Sequence, residues 1–157
     1  MDLAQPQNTR VLSYLSRENP LRSLERRKTP IFASCDSAED PYYACGCHPE
    51  IVERLWDRIN PLLTADSRCL IYGDPALVHP ASGVILAIGL GTQYGLYLPQ
   101  PLASQARSAG AATSIKWSTG DYMDIQLELG EDWVFGAWLP NELIWCQEVF
   151  EKFNQPA

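Results

Sequence analysis

At 157 residues the chain is close to the commonest size for one domain, and 46% hydrophobic with 20% charged residues excludes a disordered polymer. A net charge of −7 repels phosphates and argues against a general nucleic-acid binder. No run approaches the roughly 18 apolar residues of a membrane-spanning helix, so no membrane partner is expected.

The charge is unevenly spread. Residues 1–34 hold six basic and three acidic groups, a net +3, and the remainder holds six basic and sixteen acidic groups, a net −10. This divides the chain into a basic helical arm over 1–34, expected as an appendage, and a single α+β domain over 35–157. Residues 1–10 carry no apolar export core, and the five cysteines are an odd number. Reduced thiols and a cytoplasmic location are therefore expected.

Within the arm, Val11, Leu12, Tyr14 and Leu15 have helical spacing over residues 10–18, and Asn19-Pro20 stops that helix. A second short helix over 20–28 has only Leu21 and Leu24 to bury and ends at Thr29-Pro30. Residues 34–48 are rich in Ser, Asp, Gly and Pro and read as a loop. The strongest element follows. Pro49 suits a first helical position, Glu50 and Glu53 favour the positive helix end, and Ile51, Val52, Leu55, Trp56 and Ile59 form one apolar face. Asn60-Pro61 closes this helix.

From Arg68 the period changes to that of strands. Short β-rich runs at 69–72, 76–78, 84–89, 94–98, 113–117, 122–129 and 133–138 are separated by Gly- and Pro-rich turns. A short helix over 99–109, capped by Gly110, interrupts them. A last helix follows Pro140 and places Leu143, Cys146, Val149, Phe150 and Phe153 on one side, with Ile144 opposite that arc and Trp145 at its edge. The expected fold is an α+β antiparallel meander of six to seven short strands, with the helical arm, one amphipathic helix before the sheet, a short helix between hairpins and a C-terminal helix.

Four groups of residues are chemical candidates. Cys35, Cys45, Cys47 and His48 supply thiol and imidazole ligands for zinc, although one residue between Cys45 and Cys47 is poor spacing for a single ion. Cys47 also precedes a helix start, where a thiolate is favoured, and Cys45 is placed to resolve an oxidised Cys47. The bland reading, two incidental thiols and a capping histidine, fits the spacing better. Asp74 and His79 flank a short strand and, with Thr92, Gln93 and Tyr94, make the candidate small-molecule pocket. The glycines Gly89, Gly91 and Gly95 lack the lysine and hydroxyl partners of a phosphate loop and read as turn or bulge positions. Arg26, Arg27 and Lys28 form a basic run, which with Ile144 and Trp145 marks a candidate contact surface.

No nucleophile sits in an elbow, and no acid–base–nucleophile set is assembled. The expected function is therefore non-enzymatic: an interaction or regulatory protein, an adaptor or toxin-neutralising partner, whose acidic body suits a basic protein. A ligand-binding protein or enzyme using His79 and Asp74 is the alternative, and a zinc or redox-responsive protein the third.

Overall fold

The computed structural model describes residues 3–16, 47–72, 74–118 and 124–154. The second arm helix and most of the 34–48 loop lie outside this set. The elements are α1 (Thr9–Leu15), α2 (Pro49–Glu53), β1 (Arg68–Ile71), β2 (Asp74–Val78), β3 (Ile85–Leu90), β4 (Gln93–Tyr97), α3 (Leu102–Ser108), β5 (Ile115–Ser118), β6 (Asp124–Leu127), β7 (Trp133–Gly136) and α4 (Glu142–Asn154). The protein is α+β, as expected.

The main sheet is an antiparallel meander of five strands in the order β1-β2-β3-β4-β7, fewer than the six to seven expected. The difference has a topological cause. Tyr94 to Tyr97 pair with Gly136 to Trp133, so β7 takes the place beside β4. Among the described residues β5 and β6 pair only with each other, as a separate two-stranded antiparallel sheet. On the outer side of β7, Ala112 and Phe135 exchange backbone hydrogen bonds of 2.8 and 2.9 Å, which ties the start of that excursion to the sheet edge.

Every residue of β2 and β3 is buried. Successive side chains point to opposite faces, so the centre of the sheet is covered on both. Gly89 is one place where this covering requires the absence of a side chain. A Cβ there would lie 2.8 Å from both Pro75 Cγ and Cys47 Sγ.

The helical segment that begins with α2 and runs on to Ile59 carries the expected apolar face: Ile51, Val52, Leu55, Trp56 and Ile59 are all buried. Its winding differs from the single α-helix expected. Residues Arg54–Ile59 are π-helical, and Asn60–Leu62 close the segment as a 3-10 turn. The Trp56 indole N–H donates to the Ala76 carbonyl at 3.0 Å and fixes this segment on β2.

The described part of the N-terminal arm belongs to the core, through Leu3, Val11 and Leu15. Few apolar residues suffice here because a buried polar residue anchors them. Asn8 donates to the Leu3 and Gly83 carbonyls at 2.9 and 2.8 Å and accepts from the Ile85 N–H at 2.8 Å. All three capacities of a buried amide that are used here are met by backbone.

Candidate functional site

Helix α4 runs alongside the segment from α2 to Leu62. Three cross-links join them at successive levels. Arg54 Nε donates to Glu142 Oε1, Gln147 Nε2 to the Leu62 carbonyl at 3.3 Å, and Asn154 Nδ2 to Thr64 Oγ1 at 3.0 Å. Chain order rises on both sides of the seam, so the two segments run in the same direction.

At the upper end of the seam lies a buried polar network. Glu142, in the first turn of α4, is 1% exposed and binds both Arg54 and the Tyr94 hydroxyl. The Tyr94 hydroxyl donates to Glu142 Oε2 and accepts the Leu139 N–H at 3.0 Å. Burial, reinforced by the hydrogen bond to Glu142, raises the Tyr94 pKa well above the usual phenol value. Neighbouring Cys146 is likewise pushed up to about 12, first by burial and then by the Glu142 charge.

The network holds a turn of unusual geometry. Trp138 has φ +53°, in the left-handed region, yet its side chain is 51% exposed. A non-glycine residue held at positive φ costs on the order of 1 kcal/mol or more, and persists only where its surroundings fix it. Leu139 N–H on Tyr94 fixes one side of Trp138, and the packing of Leu139 against Gly136 fixes the other: a Cβ on Gly136 would lie 2.9 Å from Leu139 Cδ2.

Trp138 thereby stands over a hollow of about 200 Å³ that it lines with Glu50, Glu53, Arg54 and Arg58. A second, wider hollow of about 580 Å³ lies further along the seam between Leu62 and Ile144, rimmed by Glu148, Glu151 and Lys152. Leu62, Trp138 and Ile144, at 42%, 51% and 57% exposure, are the exposed large apolar side chains among the described residues. All three line these two hollows.

The pocket expected from sequence is divided. His79 is fully buried, with its ring 4.5 Å from that of Phe150. Its Nδ1 accepts the Ser82 N–H at 3.1 Å, which assigns the proton to Nε2, 2.7 Å from Asn154 Oδ1. Both ring nitrogens are thus engaged in structure. Asp74 lies at the opposite end of β2, roughly 17 Å away by strand rise. Exposed Thr92 sits in the β3–β4 turn and the half-buried Gln93 opens β4, both at Asp74's end of the sheet. Tyr94 is buried in the network already described.

Cys47 and His48 reach that same sheet end, where the His48 N–H donates to the Gly91 carbonyl at 2.6 Å. His48 Nδ1 accepts the Glu50 N–H at 3.1 Å and caps α2. Among the described residues no group of three or more His, Cys, Asp or Glu side chains is placed to hold a metal. Cys35, Cys45, Arg26, Arg27 and Lys28 lie outside the described residues. Ile144 is on the surface, whereas Trp145, expected at the edge of the helix's apolar arc, is buried.

Arg54 and Glu142 are residues that sequence reasoning passed over. Glu142 follows Pro140 at a helix start and reads as an ordinary dipole-favourable acid. Only tertiary packing distinguishes it from one. Among the described residues no helix is long and apolar enough to cross a membrane. No protein-family model, curated protein or solved structure matches this chain.

Proposed function

We propose that this protein is a non-catalytic interaction module of the cytosol, an adaptor or a neutralising partner, whose contact surface is the seam between α4 and the 49–62 segment. The observation that carries this reading is the convergence of Leu62, Trp138 and Ile144 on that one seam. Isolated exposed apolar residues need no explanation, but three on neighbouring hollows make a patch. Tryptophan and arginine are the side chains most enriched among binding hot spots, and Trp138 stands beside Arg54 and Arg58. Backbone strain at Trp138 has no evident role in packing the core, since the strained residue is the exposed one. The buried Cys146 is a free thiol, which suits a reducing compartment.

The test compares partners retained by the wild type and by Ile144→Asp in crosslinking pull-downs at low ionic strength. A partner held by the wild type and released by the variant is expected. Failure to retain any partner, or retention that Ile144→Asp leaves unchanged, removes the basis of the reading.

A further inference from the structure

We infer that the hollow beneath Trp138 receives an arginine or lysine side chain from a basic amphipathic helix of the partner, an inference that rests on the seam being the contact surface. Four charged residues line that hollow with Trp138, and one of them is already committed. Arg54 turns its Nε inward to the buried Glu142 carboxylate. Glu50 and Glu53, both exposed, then face a single further guanidinium, Arg58. The second hollow repeats the imbalance, with Glu148 and Glu151 against Lys152. With Glu142 counted, three carboxylates meet two guanidinium groups at the first hollow, so each hollow joins an exposed apolar group to an excess of carboxylate, within the 35–157 region of net charge −10.

Such a pairing suits a cation with an apolar stem. The face of Trp138 attracts an ammonium or guanidinium group, carboxylates alongside complete its coordination, and the methylene stem covers the remaining ring. An acidic peptide or a phosphate-bearing polymer meets the same hollows with repulsion. The spacing sets the partner's pattern. Glu53 and Leu62 are nine positions apart on one helical segment, on the order of 10–13 Å. That is about two turns of a partner α-helix, which would set apolar residues on Leu62 and Ile144 and a cation under Trp138 some seven residues away.

The probe is an alanine-based helical peptide carrying two leucines one turn apart and two arginines two turns further on, compared with the same peptide bearing glutamates in place of the arginines. Titration is followed by calorimetry at low ionic strength, with circular dichroism verifying that each variant folds. The arginine peptide is expected to bind at least about tenfold more tightly than the glutamate peptide. Trp138→Ala and the double variant Glu50→Gln/Glu53→Gln should each weaken it by about five- to tenfold. All three positions are exposed, so these substitutions spare the core. No binding of the arginine peptide, equal binding of the two peptides, or an affinity indifferent to both variants overturns the assignment. If Ile144→Asp abolishes binding while the Trp138 and Glu50/Glu53 variants do not, the cation site fails and the seam survives. If no variant, Ile144→Asp included, alters binding, both fail. A dimer in sedimentation that Ile144→Asp dissolves gives the seam to a second copy of the chain and also overturns the proposal.

Discussion

The Tyr94 hydroxyl accepts the Leu139 N–H at 3.0 Å and so ties the middle of the sheet to the turn that presents Trp138. The same hydroxyl donates to Glu142, which makes Tyr94 the joint between a surface turn and a buried ion pair.

Tyr94→Phe keeps the ring and removes that joint. Two buried groups, the Leu139 N–H and one Glu142 oxygen, lose their partner, at a cost of about 2–4 kcal/mol. Urea denaturation measures this directly. The pH dependence has a definite sign. The Tyr94 pKa is raised in the folded state, so its neutral form is favoured there, and the unfolded chain releases the proton first, near pH 10. Stability is therefore full below about pH 10 and falls above it, by up to about 1.4 kcal/mol per pH unit from this group. Tyr94→Phe should show a correspondingly shallower alkaline decline.

Arg54 and Glu142 should behave as a coupled pair. Arg54→Met leaves a buried carboxylate without its cation and should cost about 3–5 kcal/mol. Adding Glu142→Leu should recover part of that loss, so that the double variant is less destabilised than the sum of the two single ones. A double-mutant cycle by chemical denaturation measures the coupling, and additive effects would mean that the pair contributes nothing jointly.

Trp138→Gly should separate stability from recognition. Glycine tolerates φ +53° without penalty, so the fold should lose nothing and gain up to about 1 kcal/mol, partly offset by the greater freedom of the unfolded chain. Binding at the seam should fall at the same time. Thermal unfolding of the variant beside its binding isotherm checks both halves, and a destabilised Trp138→Gly would show that the indole packs for stability.

Cys146 should be inert in the native protein. With its pKa pushed up to about 12, only about one thiol in ten thousand is ionised at pH 8. Alkylation at Cys146 should then proceed through opening of the fold, and denaturant should accelerate it far more than raising the pH from 7 to 9 in native buffer. Mass-spectrometric mapping of iodoacetamide adducts over time, with and without denaturant, distinguishes this from direct attack on the folded thiol.

Much of the architecture is visible in residue spacing. The apolar face of Ile51, Val52, Leu55, Trp56 and Ile59 is buried as its period requires, and Ile144 is exposed where its helical angle puts it. The exclusion of β5–β6 from the main sheet was not visible, because strand-like periodicity does not say which edge a strand joins. Nor was the placement of His79 and Asp74. Asp74 begins β2 and His79 follows its last residue, and an extended chain carries the two to opposite ends of the sheet. The polar residues that matter most at the seam are ordinary in sequence. Glu142 acquires its character from Tyr94 and Arg54, forty-eight and eighty-eight positions away. No local window contains that relationship.

The three cross-links along the seam bear on how it would engage a partner. Arg54 on Glu142, Gln147 on Leu62 and Asn154 on Thr64 hold two parallel rails at fixed separation. A binding surface set rigidly before encounter surrenders little conformational entropy on association. Most of the ordering cost then falls on the incoming segment. Substitution of the apolar groups on the seam should accordingly act on how long a complex lasts, whereas changes to the rim charges act on how fast it forms.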